Sequence, residues 1–340
     1  MKKLLHTLYT HEPDIVLKKK GRAIHAIYSD GQCDHIPLGM IENIIVFSKI
    51  KVEDEVFQLC ADNDIDVWFL NGRAGLRYKV SGRIHGNVCV RKAQYLLSES
   101  SEKIAVSKNM INAKIRNSRF VLEKFKRNHP EIVSGEFCKA IQNLKECEEK
   151  IQFARNDCEI RNIEGYASRM YFQAFPDMIL QKDEVFQFVN RNRRPPKDCT
   201  NALLSMVYTL LMIECASALE CAGVDPYVGF LHTDRSGRAS MALDIMEEFR
   251  PLIADRFVMR LINLRLVDKY MFEKKDDGIY LTSEGRSTVF REWNHMKQEK
   301  VKVENLDETI FKGLFPHIQS QRLVRFLKGE TKEYEPMIGR

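Results

Sequence analysis

The stretch SEKIAVSKNMINAKIRNSRFVLEKFKRN, residues 101–128, decides the fold, because the hydrophobic period changes there. Ile104, Ile111, Ile115, Leu122 and Phe125 fall on one face of a long helix. His129-Pro130 ends it, since a residue before proline is pushed out of the α region. Upstream of this stretch the pattern is that of strands. Ile15-Val16-Leu17 leads to a lysine turn ending at Gly21, and the run from Ala23 to Tyr28 is followed by Asp30-Gly31. Ile44-Ile45-Val46-Phe47 and Val67-Trp68-Phe69-Leu70 are further short apolar runs, the second closed by Asn71-Gly72. Asp-Gly and Asn-Gly favour positive φ and tight turns. The spacing of Val56, Leu59 and Cys60 predicts one short helix within residues 52–63. Downstream, helical spacing predicts a second long segment from Ser134 to Phe175 and a third over residues 201–222 that ends at Gly223, a C-cap position. Pro195-Pro196 marks a loop between them, and Ala239 to Phe257 reads as helix again. Asp276-Asp277-Gly278 before Ile279-Tyr280-Leu281 predicts a small hairpin. The expected fold class is α+β. A β-rich N-terminal domain, residues 1–96, precedes a larger, mostly α-helical C-terminal domain, residues 97–340.

Composition constrains function only weakly. The chain has 340 residues, 44% hydrophobic and 29% charged, which suits a soluble protein of two domains. Its formal net charge of +6 permits a polyanionic partner without demanding one. Nine cysteines occur without a C-x-x-C pair, which argues against a thiolate zinc site. An odd number of scattered thiols points to a reducing, cytoplasmic setting. The opening Met-Lys-Lys-Leu-Leu-His-Thr-Leu-Tyr lacks the apolar run of a signal peptide. Ala202 to Ala222 approaches the length of a membrane span, but Glu214 and Glu220 interrupt it. It reads as a helix buried in protein.

Carboxylates in unexpected places carry the functional signal. On the helix holding Ile160, Ile163, Ala167, Met170, Tyr171 and Ala174, Glu164 falls inside the apolar stripe. A carboxylate on a packed face needs an ion pair, an arginine for instance, or a metal ion. His232 stands in a loop, Gly229-Phe230-Leu231-His232-Thr233-Asp234, that leads into the next helix. Asp244, Glu247 and Glu248 share one face near the start of that helix, opposite Ala242, Ile245, Met246, Phe249 and Ile253. Periodicity by itself turns these acids toward water, where they suit the helix dipole. Taken together, two carboxylates and an imidazole form a donor set for Mg²⁺ or Mn²⁺.

The segment from Gly229 through Arg238, continuing as Ala242-Leu243-Asp244-Ile245-Met246-Glu247-Glu248-Phe249-Arg250-Pro251, resembles the core motif of the CRISPR-associated endonuclease/integrase family, the enzymes of spacer acquisition. Ile163-Glu164-Gly165, with Tyr171-Phe172, and Asn190-Arg191-Asn192-Arg193-Arg194-Pro195-Pro196, running to Asn201-Ala202-Leu203-Leu204-Ser205, agree in the same order. The opening Met-Lys-Lys-Leu-Leu and the Gly86-Asn87-Val88 region look like a type I branch. The resemblance implies a β-rich domain that pairs subunits and a helical catalytic domain. It implies metal ligands at Glu164, His232 and Glu247, with Asp244 as a further site residue and Glu248 as structural. The implied reaction inserts short DNA duplexes into a CRISPR array by 3′-hydroxyl attack on a phosphodiester, with Mg²⁺ or Mn²⁺ as cofactor. The implied partners are DNA, a second copy of the chain, and the small companion protein of the adaptation module bridging two dimers. Arg191, Arg193, Arg194, Arg235 and Arg238 adjoin the site in loops and are the expected DNA contacts. Lysines and arginines along residues 103–127, Lys114 among them, read as a largely solvated helix face. A structure-selective nuclease with the same site and a non-catalytic DNA-binding scaffold remain as alternatives.

Overall fold

The computed structural model describes residues 6–10, 14–47, 49–71, 75–83, 88–193, 195–276, 278–303 and 308–339. Gly72, Gly86, Asn87, Arg194 and Asp277 lie outside the described residues, as does the opening Met-Lys-Lys-Leu-Leu. The chain divides into two compact units: Met1–Ile84 with Tyr280–Leu314, and His85–Ile279 with Phe315–Arg340.

The first unit begins with β1 (His6–Thr10), β2 (Val16–Lys20), β3 (Ala23–Ile27), β4 (Cys33–Pro37), β5 (Ile41–Val46) and β6 (Lys51–Val52). Helix α1 (Asp54–Ala61), β7 (Asp66–Leu70) and β8 (Leu76–Val80) follow. Strands β1-β5-β7-β8 form one sheet and β4-β3-β2-β6 another. Strand β5 pairs parallel with β1 and β7, and all its residues are buried. A parallel strand covered on both faces reads as a continuous apolar run, as Ile44-Ile45-Val46 does. Leu17, Ile24, Ile44, Val46, Val56, Leu59 and Val67 join the two sheets and α1 in one core. The turn after β2 rests on Gly21, at φ 63, where a side chain would be strained.

The second unit starts at α2 (Val88–Glu99), a helix where the sequence reads as the end of the β-rich domain. Helix α3 (Lys103–Asn128) follows, as the opening stretch predicts. The single segment expected over residues 134–175 is two helices, α4 (Gly135–Ile151) and α5 (Asp157–Ala174). The break has a local cause. Asn156 Oδ1 accepts the Glu159 amide at 2.9 Å, and Glu159 Oε2 accepts the Arg155 amide at 2.7 Å, so a reciprocal cap starts a new helix. Helix α6 (Cys199–Cys221) is long and apolar enough to cross a membrane, yet it is buried almost throughout inside this unit. Gly223, at φ 83, ends it. Helix α7 (Ser240–Phe249) continues through a π-helical turn, Arg250–Asp255, into α8 (Arg256–Asn263). Pro251 lacks the amide that would bond back to Glu247, which loosens the helix there. Strands β9 (Phe272–Lys275) and β10 (Gly278–Leu281) form the expected hairpin.

The chain then returns to the first unit with α9 (Ser283–Lys297), β11 (Lys300–Val303) and β12 (Glu308–Phe311). The boundary expected near residue 96 does not anticipate this return. Its cause is aromatic packing: Phe290 stacks on Tyr9 at 4.3 Å between centroids and lies 4.8 Å from Phe47. Helix α10 (Phe315–Leu327) and the segment after it belong to the second unit.

Candidate active site

Helix α3 packs against both α5 and α7, and each of the three contributes one charged side chain to a common point. Glu164 comes from α5, Glu247 from α7 and Lys114 from α3. The Lys114 ammonium pairs with Glu164 Oε1 and lies 2.7 Å from Glu247 Oε2. The second contact is ionic and not directed as a hydrogen bond, so this buried oxygen keeps acceptor capacity. Ser168, one turn on from Glu164, donates to Glu164 Oε1 at 2.8 Å, and Arg250 Nη2 lies 3.0 Å from Glu247 Oε1. Burial works to raise the Glu247 carboxyl, but Arg250, Lys114 and His232 outweigh it and bring it down to about 2. Burial likewise opposes the charge on Glu164, and Lys114 reverses the effect, holding it below the usual range.

The His232 loop is wrapped around Asp244. The amides of Phe230 and Leu231 donate to Asp244 Oδ2 at 2.7 and 3.0 Å. The His232 amide donates to Oδ1 at 3.0 Å, and His232 Nδ1 meets the same oxygen at 2.6 Å. A carboxylate can only accept, so Nδ1 carries a proton, and in the neutral ring Nε2 presents its lone pair. That nitrogen is 3.9 Å from Glu247 Oε1. Gly229 is required by this wrapping: a Cβ there would sit 2.8 Å from Ser240 Cβ and 3.0 Å from Asp244 Oδ2. Asp244, the further site residue of the sequence reading, therefore has both oxygens engaged by the His232 loop.

Two residues that sequence reasoning passes over hold the loop from outside. Arg161 Nη2 donates to the Leu231 carbonyl at 2.7 Å. Gln94, fully buried on α2, donates to the carbonyls of Asp225 and Val228, each at 2.8 Å, and accepts the Asp225 amide at 2.9 Å. Lys114, read in the sequence as part of a largely solvated helix face, needs correction. It is buried, not solvated, and at about 100° per residue it falls between Ile111 and Val121 on the α3 wheel. The reasoning that singles out Glu164 would have found it.

The acids of α7 do not face water either: Asp244, Glu247 and Glu248 are all buried. Glu248 faces away from Lys114 and accepts from Tyr334 Oη at 2.5 Å and from the Met337 amide at 2.7 Å. Asn117 on α3 joins the same latch, donating to the Glu248 and Met337 carbonyls at 2.8 and 2.9 Å. Burial pushes the Glu248 carboxyl up to about 8 despite these donors.

The arginines expected to meet DNA divide. Arg193 and Arg235 are exposed and Arg238 is half-buried. Arg191 turns inward, donating to Asn201 Oδ1 at 2.7 Å and Ser205 Oγ at 3.2 Å, with its guanidinium over the Tyr208 ring. Beside Glu164, a cavity of about 410 Å³ is lined by Ser168, Arg169, Phe172, Arg191 and Arg193 among others.

The sequence model of the family described as CRISPR associated protein Cas1 matches residues 8–295. The chain belongs to this family. It is 38% identical over 342 residues to a protein of Rhodospirillum rubrum (strain ATCC 11170) named CRISPR-associated endonuclease Cas1 2, covering 99% of each. Among solved structures, a Cas1 protein from Thermotoga maritima superposes with a TM-score of 0.84 at 23% identity, over 97% of this chain and 99% of that one. A casposase bound to integration product superposes with a TM-score of 0.85 at 22% identity, over 99% and 94%. The Cas1 fold thus accounts for the strand-rich first unit and the helical second.

Proposed function

We propose that this chain is a metal-dependent DNA endonuclease and integrase that joins short DNA duplexes into a CRISPR array. The observation that carries the reading is that Glu164 and Glu247 meet at the Lys114 ammonium, with His232 Nε2 3.9 Å from the other oxygen of Glu247, in a chain of the Cas1 family. The name of the Rhodospirillum relative supports the endonuclease activity. The casposase likeness supports the fold on which integration is built.

The donor set fits a hard divalent ion. Two carboxylates and a neutral imidazole suit Mg²⁺ or Mn²⁺, and a cation, the Lys114 ammonium, already bridges the acids. Ligands about 2.1 Å from an ion can stand up to roughly 4 Å apart. The 3.9 Å between His232 Nε2 and Glu247 Oε1 lies within that reach. Among the described residues, no three such donors are drawn into a closed cage. The ammonium spaces them. Glu164, Glu247 and His232 would hold the ion, which when bound polarises the attacked phosphodiester and neutralises its charge. The protein's own part is placement. Asp244 fixes the imidazole tautomer, Arg161 and Gln94 fix the loop, and Arg169, Arg193, Arg235 and Arg238 offer cations to the phosphate backbone. One phosphodiester replaces another, so no nucleotide triphosphate is consumed. The first unit pairs two copies, and two such dimers flank the small companion protein.

The test is joining of a labelled duplex end into a repeat-containing plasmid, with His232→Ala as control. Cleavage of branched DNA without any joining would reduce the reading to a structure-selective nuclease. Joining that survives in the variant would leave a scaffold.

A further inference from the structure

Lys114 is a conspicuous resident for a metal centre. Its side chain is 10% exposed, and its ammonium contacts the two carboxylates that the proposed ion needs. An ammonium and a divalent ion cannot share those oxygens, because both require the same point between Glu164 and Glu247. A second cation, Arg250, stays on Glu247 from the other side and engages its other oxygen, Oε1. The stem of lysine is four flexible methylenes, and its charge is a compact point, so the head can swing while the helix stays in place. Ser168 remains as a partner for Glu164 when the ammonium leaves. The neighbouring cavity carries Arg169 and Arg193 on its lining.

We propose that Lys114 is a built-in counter-cation: it occupies the place between Glu164 and Glu247 in the metal-free protein and is displaced when the divalent ion enters. This rests on the metal reading given above. The arrangement spares the buried Glu247 and the half-buried Glu164 from facing each other uncompensated before the ion arrives. It also makes the lysine a direct competitor of the ion. Once displaced, the ammonium stands beside the reacting phosphate, where an incoming DNA strand supplies its new counter-charge. DNA and metal then favour each other's binding, because each relieves a charge left by the other's arrival.

The experiment is Mn²⁺ titration of the full chain by electron paramagnetic resonance, without DNA, for the wild type, Lys114→Met, Lys114→Gln and each with His232→Ala. Removing the competitor is expected to tighten Mn²⁺ binding by about tenfold or more, and to enlarge the rise in Tm that Mn²⁺ produces. A parallel measurement needs no variant: amine labelling of Lys114, read by mass spectrometry, is expected to rise when Mg²⁺ is added to the wild type. Binding that is abolished by His232→Ala but is equal or weaker in both lysine variants overturns this inference and leaves the metal site standing. Labelling that stays flat while Mg²⁺ is bound overturns it as well. No binding at all, or binding indifferent to His232→Ala, removes the metal reading and the inference together.

Discussion

Glu247 and Glu248 are adjacent on α7 and both are buried, yet their carboxyls are driven in opposite directions, to about 2 and to about 8. Burial is the same first cause for both, and it raises each. The difference lies in the partners. Glu247 looks toward Arg250, Lys114 and His232, which carry or can carry positive charge. Glu248 looks toward a phenol and a backbone amide, and the positive charge of Arg322 acts on it too weakly to offset burial. One face of the helix is thus an ionic site, while the other is a hydrogen-bonded latch on the segment after α10. Two neighbouring glutamates gain separate roles because a helix turns by about 100° between them.

The comparison can be broken most forcefully through activity. Glu247→Gln is expected to lower plasmid joining by roughly 10³-fold or more, since it removes the charge of a proposed ligand. Glu248→Gln, assayed at the same pH, is expected to stay within about tenfold of the wild type. Equal losses would dissolve the distinction between the faces.

The next largest effect is on stability against pH. The Glu248 carboxyl is raised in the folded state, so its contribution is complete below its unfolded value and is lost as pH climbs through about 8. The loss between about pH 4.5 and pH 8 is on the order of 5 kcal/mol. Glu247 has the opposite sign: its contribution is complete above the unfolded value and is lost as pH falls through about 2. Urea unfolding from pH 4 to pH 9 should therefore show a decline toward alkaline pH that Glu248→Gln flattens. A variant that keeps the slope would show that the latch does not titrate.

Asp244→Asn puts an amide among the loop N–H groups that now point at a carboxylate. It is expected to destabilise the protein by about 3 kcal/mol and to weaken Mn²⁺ binding by about tenfold to a hundredfold. Normal Mn²⁺ affinity in this variant would mean that His232 does not need its partner. Tyr334→Phe removes one donor from Glu248 and should cost about 1 kcal/mol in urea unfolding, with Mn²⁺ affinity unchanged. An altered affinity would mean that the latch and the ionic face are coupled.

Much of this could be read in the sequence. The change of period at residue 101 separates a strand-rich region from a helical one, and the wheel of α5 exposes Glu164 as misplaced. The wheel of α7 misleads, because it assumes that one face meets water. In fact α3 covers the side bearing Glu247, and the Tyr334–Gly339 segment covers the side bearing Glu248. Enclosure of that kind is set by elements far away in the chain and leaves no local period. The preference for Glu247 over its neighbours therefore rests on family resemblance. Gln94 and Arg161 were silent for the same reason: their partners lie more than a hundred and about seventy residues away.

The returning segment of the first unit has a practical consequence. Because α9 places Phe290 over Tyr9 and Phe47, no single cut in the gene separates the two units cleanly. A product ending at residue 279 would translate β1 and β5 while leaving that aromatic face stripped, a sticky surface prone to self-association. Anyone wishing to isolate the strand-rich unit must splice residues 280–314 onto it, and anyone wishing to isolate the helical unit must excise them.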